Sequence, residues 1–388
     1  MKIGRLKRAV KLQPRLERLL GGLVDKGYEL GVQAAVYLGG ELVADVCTGR
    51  ISSKSSRKVE ANTLFPVCST GKGITATLLH ILAARGDLDY ESPIIRYWPE
   101  YGVNGKNSTT VRQALSHQAG IPQVPEFNSL DEICDWNTAC AKVAALMPKW
   151  TPGTNAEYHA YTWGWIAGKI AEGAAGRPFR ELVHSELTVP LGIEDSLYFG
   201  TDDDAEARVS EFENQPTQQE QYTTAAAVHA VKDICTIPGT VMDFVNMAEV
   251  RRSCMPASNG MMSARAIARV YAAVIGEVDG LRLIPESLLE KAAILQTLPN
   301  TLPVCFGHGF GLGYILKGPA SAPGAFFGHS GAGGSEGMAN RPLGMSIGLT
   351  KNRMDTHRNA PCPTARLVMN EIMDVIGREG DGGFYRNS

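Results

Sequence analysis

Apolar and polar positions repeat with different periods along the chain. Residues 4–27 carry apolar side chains at helical spacing and predict a helix. The runs GVQAAVYLGG and ELVADVCTG predict two strands joined by a Gly-Gly hairpin turn. Helical periodicity dominates from Ser69 to about residue 270, strand-like runs return after residue 305, and a helix is predicted at Pro363–Ile376. This order predicts an α/β fold in which both chain ends build one lobe and the middle builds a helical lobe.

The chain of 388 residues is long enough for a large core and is predicted to form one two-lobed unit over 1–388. We expect the α/β lobe to cover about 1–66 and 270–378, and the helical lobe about 67–269. Residues 201–238 begin acidic and pass through PTQQEQYTT, which is typical of a surface excursion; we expect it to edge the substrate pocket. Residues 379–388 are expected to form a flexible tail.

Composition excludes several classes of protein. An apolar fraction of 44% and a net charge of −2 are typical of a soluble globular protein without a bias toward nucleic acid. No apolar run is long enough to span a bilayer, and the basic N-terminus lacks the apolar stretch of a secretory signal. That N-terminus is either an amphipathic helix packed on the body or a membrane-surface or nucleic-acid arm. The eight cysteines contain no C-x-x-C and predict reduced thiols in the cytoplasm, and no His/Cys spacing indicates a metal.

An S-x-x-K pair, Ser69 and Lys72, lies where an apolar helix is predicted to begin, in FPVCSTGKGITATLLHILAARG. Residues three apart lie on one face of a helix, so the lysine amine can reach the serine hydroxyl and take its proton. Backbone N–H groups of a first helical turn also favour negative charge that develops there. The pattern indicates acyl transfer through an acyl-serine, or else an ordinary serine at a helix start. A second pair, Ser55 and Lys58, has no apolar helix behind it and is typical of a solvated turn.

Two further segments carry candidate chemistry. In TPGTNAEYHAYTWGWIAGKIAEGAAG, Tyr158 precedes a helix-like run, and a tyrosine beside a cationic lysine can act as a base because its phenolate is favoured. The neighbouring Tyr161, Trp163 and Trp165 are more typical of a packed core stripe. In APGAFFGHSGAGGSEGMAN, glycines would let a substrate carbonyl approach an edge strand, although on its own such a stretch is typical of a hairpin with bulges.

Together, S-x-x-K, then a tyrosine before a helix, then H-S-G near the C-terminus resemble the serine β-lactamase and penicillin-binding-protein superfamily. Within it, the chain resembles the β-lactamase-like carboxylesterases of esterase family VIII and the fungal statin-type acyltransferases. The sequence segments that carry the resemblance cover most of residues 30–355 and include YWPEYGVNGKNSTTVRQALSHQAGIP, PGTNAEYHAYTWGWIAGKI, SNGMMSARAIARVYAAV and FGHSGAGGSEGMAN. The resemblance implies a β-lactamase-like fold: an antiparallel sheet flanked by helices, plus an all-helical lobe, with the active site between them.

The resemblance also implies a role for each matching position. Ser69 would be the nucleophile, Lys72 would take part in its deprotonation, and Tyr158 would be base toward the serine and then acid toward the leaving group. His329, Ser330 and Gly331 occupy the place of the K-T-G triplet of β-lactamases, so His329 and Gly331 would bind substrate. The backbone N–H groups of Ser69 and Ala332 would form the oxyanion hole, each worth about 3 kcal/mol in the transition state.

The chain departs from the lactamase pattern at two positions. The asparagine of the lactamase Y-x-N motif is replaced by Ala160, and His329 stands in place of the lysine that would hold a lactam carboxylate. A histidine is neutral or only partly charged near pH 7, so both changes argue against β-lactams as the main substrate. His159 is either a substrate contact or a packed or solvated histidine.

Two other nucleophiles are present in the sequence. Residues 333–337 fit the G-x-S-x-G elbow of α/β-hydrolases around Ser335. That motif needs a helix after the serine, whereas the residues that follow contain Pro342 and Gly344 and alternate like a strand. Ser335→Ala is accordingly expected to remain active. Cys68, next to Ser69, is either a rival nucleophile or a small packed side chain.

The reaction that the resemblance implies is a double displacement without a cofactor or a metal. Ser69 would attack an ester or activated acyl carbonyl, and water or a second alcohol or amine would then take the acyl group. The expected partners are a small-molecule ester or acyl donor and, for a biosynthetic transferase, an alcohol or amine acceptor. The alternatives are a β-lactamase or D-amino-acid peptidase or amidase, and a non-catalytic member that binds acylated ligands.

Overall fold

A computed structural model of the chain describes residues 2–214, 241–297, 309–318, 324–354 and 363–377. Most of the surface excursion expected at 201–238, and the tail expected at 379–388, lie outside the described residues. Within the described ranges, no helix combines the length and the apolar character needed to cross a bilayer.

The strands of the described residues form two antiparallel sheets. They are β1 Gly31–Leu38, β2 Glu41–Gly49, β3 Phe65–Pro66, β4 Leu197–Phe199, β5 Gly260–Met262, β6 Gly309–Phe310, β7 Ile315–Lys317, β8 Phe326–Ser330, β9 Glu336–Asn340 and β10 Met345–Lys351. The larger sheet has the order β2-β1-β10-β9-β8-β7-β6, and the smaller has the order β3-β5-β4. Because β1 pairs with β10, an early and a late segment of the chain lie side by side in one sheet.

The α-helices of the described residues lie on both faces of the larger sheet and fill the middle of the chain. They are α1 Lys2–Ala9, α2 Leu12–Asp25, α3 Gly71–Arg85, α4 Val111–Leu115, α5 Leu130–Cys134, α6 Trp136–Ala144, α7 Thr162–Ala175, α8 Phe179–Val183, α9 Val189–Leu191, α10 Asp203–Glu206, α11 Val241–Asn246, α12 Ala248–Arg252, α13 Ala264–Ile275, α14 Glu286–Ala292 and α15 Pro363–Ile376. The helix predicted at 4–27 is two helices, and the closing helix has its predicted bounds.

Strand β1 shows how the larger sheet is covered. Side chains of a strand alternate between its two faces, and all of β1 is buried. Its even-numbered residues, such as Val32 and Val36, belong to the core cluster that contains the apolar faces of α2 and α15. Ala35 and Tyr37 belong to a second cluster, which contains α13 and the helices of the middle of the chain. The sheet is therefore the middle layer of the α/β lobe.

Helix α3 lies at the junction between the sheet and the helical middle of the chain. It packs against α7 of the helical middle, against β8 of the larger sheet and against α13. Burial therefore runs right around the helix from Gly71 to Leu82, and no solvent-facing stripe remains until its last turn. A left-handed glycine, Gly86 with φ +88°, ends it. Ser69, which immediately precedes α3, therefore lies at the junction between the larger sheet and the helical middle of the chain.

Two features of the fold differ from the simple division into lobes. Helix α13 crosses the expected boundary at 269–270 and packs against β1, β9 and β10. The three strands of the small sheet β3-β5-β4 come from segments within, or just before, the part of the sequence that has helical periodicity. Its strands are two or three residues long, too short to produce an alternating pattern in the sequence, and pairing between distant segments defines them.

Candidate active site

The candidate nucleophile lies in a tight turn that precedes α3. We call residues 67–70 the nucleophile turn; Cys68–Thr70 form a short 3₁₀ segment within it. The Val67 N–H donates to the Gly260 carbonyl at 2.9 Å, and the Thr70 N–H donates to the Val67 carbonyl at 3.1 Å. Cys68 has φ +47°, a left-handed conformation that costs energy in a residue with a side chain. The turn leaves Ser69 partly exposed between buried neighbours.

Lys72 is buried directly beneath Ser69. Its side chain has no solvent exposure. Its Nζ donates to the Ser69 Oγ at 3.0 Å, to the Ala160 carbonyl at 2.7 Å and to the Ala257 carbonyl at 3.0 Å. Burial lowers the pKa of Lys72 from 10.5 to about 7. An amine with that pKa is present in part as the free base at neutral pH, and it already contacts the hydroxyl whose proton it would accept.

Tyr158 completes the group of three side chains that the sequence singled out. The Lys72 Nζ lies 4.9 Å from the centroid of the Tyr158 ring. That ring stacks on Phe310 at 5.9 Å with an interplanar angle of 10°, and it contacts the His117 ring at 4.9 Å. These aromatic contacts restrict the orientation of the phenol. The structure thus brings residues 69, 72 and 158 together.

A pair of neutral histidines lies behind Tyr158. His117 Nδ1 accepts the N–H of His159, the residue after Tyr158, at 3.1 Å. The His159 ring donates from Nδ1 to the Glu157 carbonyl at 2.6 Å and accepts the Ile121 N–H on Nε2 at 3.1 Å. Burial lowers the pKa of His159 to about 4 and that of His117 well below 6.5. His159 is therefore a packed histidine that holds backbone.

His117 received no role from the sequence. It is buried and has a left-handed backbone conformation, with φ +62°. The same residue accepts the hydrogen bond from the segment that carries Tyr158. The available signal was its place in ALSHQAGIP, inside one of the stretches that carry the family resemblance. Nothing local in that stretch indicates that the histidine faces the tyrosine.

His329 lies on β8 and is also near Tyr158, with the two ring centroids 6.2 Å apart. It is 1% exposed, and its Nδ1 donates to the Ser330 carbonyl at 2.8 Å. Burial, and then the nearby Lys72 ammonium, hold the pKa of His329 well below 6.5. The position that carries a lysine in β-lactamases is therefore uncharged in this protein.

A buried ion pair supports the end of β8. Lys317 Nζ lies 2.6 Å from Glu336 Oε1, and both side chains are nearly inaccessible to solvent. Ser330 Oγ accepts from Lys317 at 3.1 Å and donates to Glu336 at 3.1 Å. Because the ammonium is already neutralised by the carboxylate, the pair fixes Ser330 and adds no net charge to the site.

The turn between β8 and β9 approaches the nucleophile turn closely; we call residues 331–335 the hairpin loop. Gly331 and Ala332, the predicted substrate-binding and oxyanion positions, keep solvent exposure. A Cβ on Gly331 would lie 2.1 Å from the Val67 carbonyl oxygen, so only glycine allows this approach. The second candidate nucleophile, Ser335, is buried and is followed by a strand, so the strand-turn-helix geometry of an elbow is not present there.

The remaining candidates have structural environments. Tyr161, Trp163 and Trp165 are buried in the core cluster of the helical middle. Burial raises the pKa of the Cys68 thiol to about 12, so it stays protonated and unreactive at neutral pH. Among the described residues, no cluster of His, Cys, Asp and Glu side chains is arranged to ligate a metal ion.

Comparison with known proteins identifies the family to which this fold belongs. The family model described as Beta-lactamase matches residues 16–368. The chain is similar to the esterase/beta-lactamase LipL of Mycobacterium tuberculosis, with 32% identity over 345 residues, which are 84% of this chain and 77% of that protein. It is also similar to the crystal structure of a family VIII carboxylesterase (TM-score 0.81, 27% identity, 96% of this chain and 97% of that one). A penicillin-binding protein homolog from Caulobacter crescentus has a TM-score of 0.74 and 29% identity, with 90% and 92% covered.

Proposed function

The chain belongs to the Beta-lactamase family of serine hydrolases, and we propose that its reaction is the cleavage of carboxylic esters through an acyl-Ser69 intermediate. One observation carries the proposal: a fully buried lysine with a pKa near neutrality lies 3.0 Å from the hydroxyl of a partly exposed serine. Two similar proteins support the choice of substrate class, because LipL is named an esterase/beta-lactamase and the similar crystal structure is that of a family VIII carboxylesterase.

In the first half-reaction, Ser69 Oγ forms a bond to the ester carbonyl carbon while its proton passes to Lys72. The carbonyl π electrons move to oxygen, and the backbone N–H groups of Ser69 and Ala332 are proposed to bind that oxyanion. When the tetrahedral intermediate collapses, the C–O bond to the alcohol breaks. The proton reaches the departing alkoxide through the hydroxyl of Tyr158, which recovers one from Lys72. The products of this step are an alcohol and the acyl-Ser69 ester.

In the second half-reaction, water attacks the acyl-Ser69 carbonyl and gives its proton to the Tyr158–Lys72 pair. Collapse breaks the bond to Ser69 Oγ, which regains a proton and releases the carboxylic acid. An alcohol or an amine can replace water here, and the product is then a new ester or an amide. Hydrolase and acyltransferase therefore share the same acyl-enzyme, and exclusion of water from the site decides between them.

The charge of the site favours esters over β-lactams. His329 is neutral at the position where lactamases place a lysine, and Ala160 lacks the amide of the lactamase asparagine. The Lys317 ammonium is paired with Glu336. Among the described residues, neither position 329 nor Lys317 would then offer an unpaired cation to a substrate carboxylate, and desolvation of that carboxylate would cost on the order of several kcal/mol. An uncharged ester avoids that cost.

Labelling and turnover test this proposal together. Fluorophosphonate labelling followed by peptide mass mapping should place the adduct on Ser69, and p-nitrophenyl esters should be hydrolysed. Ser69→Ala should abolish both. Ser55→Ala is the matched control, because it alters the other S-x-x-K pair, in a polar stretch without an apolar helix behind it, and it should leave both unchanged.

Three results would contradict the proposal. Cephalosporin or D-Ala-peptide turnover faster than ester turnover would indicate a lactamase or peptidase instead. A folded wild-type protein that shows no label on any serine would indicate a non-catalytic, ligand-binding member. Hydrolysis that survives Ser69→Ala would place the nucleophile elsewhere. Added alcohols or amines would measure the partition between hydrolysis and transfer.

The compartment remains a prediction. The described cysteines Cys47, Cys68, Cys134, Cys140 and Cys254 are free thiols. Free thiols are compatible with a reducing, cytoplasmic environment.

A further inference from the structure

Ser335, which has no role in the reaction above, connects the hairpin loop to the nucleophile turn. Its Oγ donates to the Val67 carbonyl at 2.7 Å and lies 3.0 Å from the Thr70 Oγ1. Ser335 is 3% exposed and Thr70 has no exposure. Val67 and Thr70 are the two ends of the nucleophile turn, and Ser335 is 268 residues from Val67 in sequence. A single hydroxyl therefore contacts both ends of the turn that carries Ser69.

The hydrogen atoms of this cluster can be assigned. A serine hydroxyl has one hydrogen, and a carbonyl can only accept, so the Ser335 hydrogen points to the Val67 oxygen. The Thr70 hydroxyl must then donate to the Ser335 Oγ. The Val67 oxygen also accepts the Thr70 N–H at 3.1 Å, which uses both of its lone pairs. Each polar atom of the cluster is satisfied, and the cluster has one arrangement.

The same residue fixes the hairpin loop from inside. The Ser335 carbonyl accepts the Gly331 N–H at 2.9 Å, and the Gly334 N–H donates to the Gly331 carbonyl at 3.1 Å. The space between the two loops is filled, because a Cβ on Gly331 would lie 2.4 Å from the Ser335 Oγ as well as 2.1 Å from the Val67 oxygen. Movement of Ser335 relative to Val67 would therefore move Gly331, and with it Ala332, relative to Ser69.

We propose that Ser335 is a positioning residue that sets the separation between the backbone N–H groups of Ser69 and Ala332. The inference rests on the proposed function, in which those two groups bind the oxyanion. The Ser335 hydroxyl touches neither substrate nor Ser69. It acts by holding the nucleophile turn, including the left-handed Cys68, at a constant distance from the hairpin loop. Oxyanion donors act on the transition state more than on the bound substrate, so Ser335 should affect acylation selectively.

Ser335→Ala tests this role, with Ser346→Ala as the matched control. Ser346 is a fully buried serine of β10 whose Oγ donates to the Ala268 carbonyl at 2.7 Å, remote from the nucleophile turn. Both variants lose one buried serine–carbonyl bond, and Ser346→Ala should lower the Tm by a few degrees, about the effect of one such bond. Ser335→Ala also leaves the Thr70 hydroxyl without its acceptor, so its Tm should fall somewhat further. Thr70→Val removes the other hydroxyl of the cluster without loss of volume and is the second variant if Ser335→Ala folds poorly.

The readouts separate positioning from stability. Ser335→Ala should remain active, because Ser335 is not the nucleophile, but its kcat/KM for a p-nitrophenyl ester should be about 10- to 100-fold lower than that of wild type, part of the value of one oxyanion donor. The Ki of phenylboronic acid, whose serine adduct places an oxygen in the oxyanion hole, should rise by the same factor. The pH midpoint of kcat/KM should stay at the wild-type value, because Lys72 is not part of the cluster. Ser346→Ala should match wild type in all three.

Three outcomes would overturn the role of Ser335. The first is a folded Ser335→Ala with wild-type kcat/KM and boronate affinity. The second is a loss that appears in Ser346→Ala to the same extent, which would indicate general destabilisation. The third is a folded Ser335→Ala in which Ser69 is no longer labelled and all turnover is lost. A failure of the proposed function looks different, because it appears without any change at Ser335: wild type shows no label on a serine, wild type turns over cephalosporin or D-Ala peptide faster than ester, or hydrolysis survives Ser69→Ala.

Discussion

The low pKa of Lys72 makes a quantitative prediction for the pH dependence of acylation. Only the free amine can take the Ser69 proton, and burial lowers the pKa of this lysine from 10.5 to about 7. The free-base fraction is then about one tenth at pH 6, about half at pH 7 and about nine tenths at pH 8. We expect kcat/KM for a neutral ester to rise about tenfold per pH unit below about pH 6, about fivefold between pH 6 and pH 7, and to level off above pH 8. A lysine with an ordinary pKa would instead give a rise that continues beyond pH 9.

The assay is hydrolysis of a p-nitrophenyl ester, followed at the wavelength where p-nitrophenol and its anion absorb equally. Fluorophosphonate labelling rates provide a second measure that no leaving-group ionisation affects. Lys72→Arg is the control, because a guanidinium does not lose its proton in this range. It should lower kcat/KM by about 100-fold or more and remove the inflection near pH 7.

The same pKa predicts how stability depends on pH. The unfolded chain, with a lysine pKa near 10.5, binds more protons than the folded protein between about pH 7 and pH 10.5. The free energy of unfolding should therefore rise with pH across that window, by up to about 1.4 kcal/mol per pH unit from this group. Urea unfolding of wild type and of Lys72→Met at several pH values isolates the contribution, since the variant lacks it. A flat rate profile, or equal pH slopes of stability in the two proteins, would refute the reasoning.

Three other substitutions test contacts of the site. Gly331→Ala should lower kcat/KM for esters about 100-fold, because its Cβ would lie 2.1 Å from the Val67 oxygen; wild-type rates would show that the loops need not touch. His117→Ala should lower kcat/KM about tenfold, because the segment of Tyr158 loses its alignment. His117→Asn should retain most activity, because asparagine tolerates φ +62° and keeps a hydrogen-bond acceptor. Equal rates for the two variants would contradict a positioning contact. Lys317→Met should lower the free energy of unfolding by about 3 kcal/mol, since it leaves the Glu336 carboxylate buried without its ammonium. When Glu336→Gln is added to Lys317→Met, urea unfolding should show that part of the lost free energy of unfolding is recovered. No recovery would argue that the two side chains do not form a stabilising ion pair.

The parts of this protein that were predictable from sequence depend on short-range spacing. The hairpin of β1 and β2 and the closing helix α15 follow from apolar periodicity and turn residues within a few positions. The pair of Ser69 and Lys72 is readable for the same reason, because one helical turn determines the geometry between them. Tyr158 has no such local relation to either residue; its segment marked it as a candidate base, and the family resemblance supplied its place beside Ser69 and Lys72.

The properties that make these residues a site depend on contacts between distant segments. The acceptors that hold Lys72 come from Ala160 and Ala257, which are 88 and 185 residues away, and burial in the folded chain lowers its pKa. The contact of His117 with the segment of Tyr158 and the bond from Ser335 to the nucleophile turn also join remote parts of the chain. The sequence alone determined which groups could react and which helix and strands carry them. Only the tertiary structure decided their protonation and separation, because desolvation and hydrogen bonding depend on the atoms that folding brings near, whatever their distance along the chain.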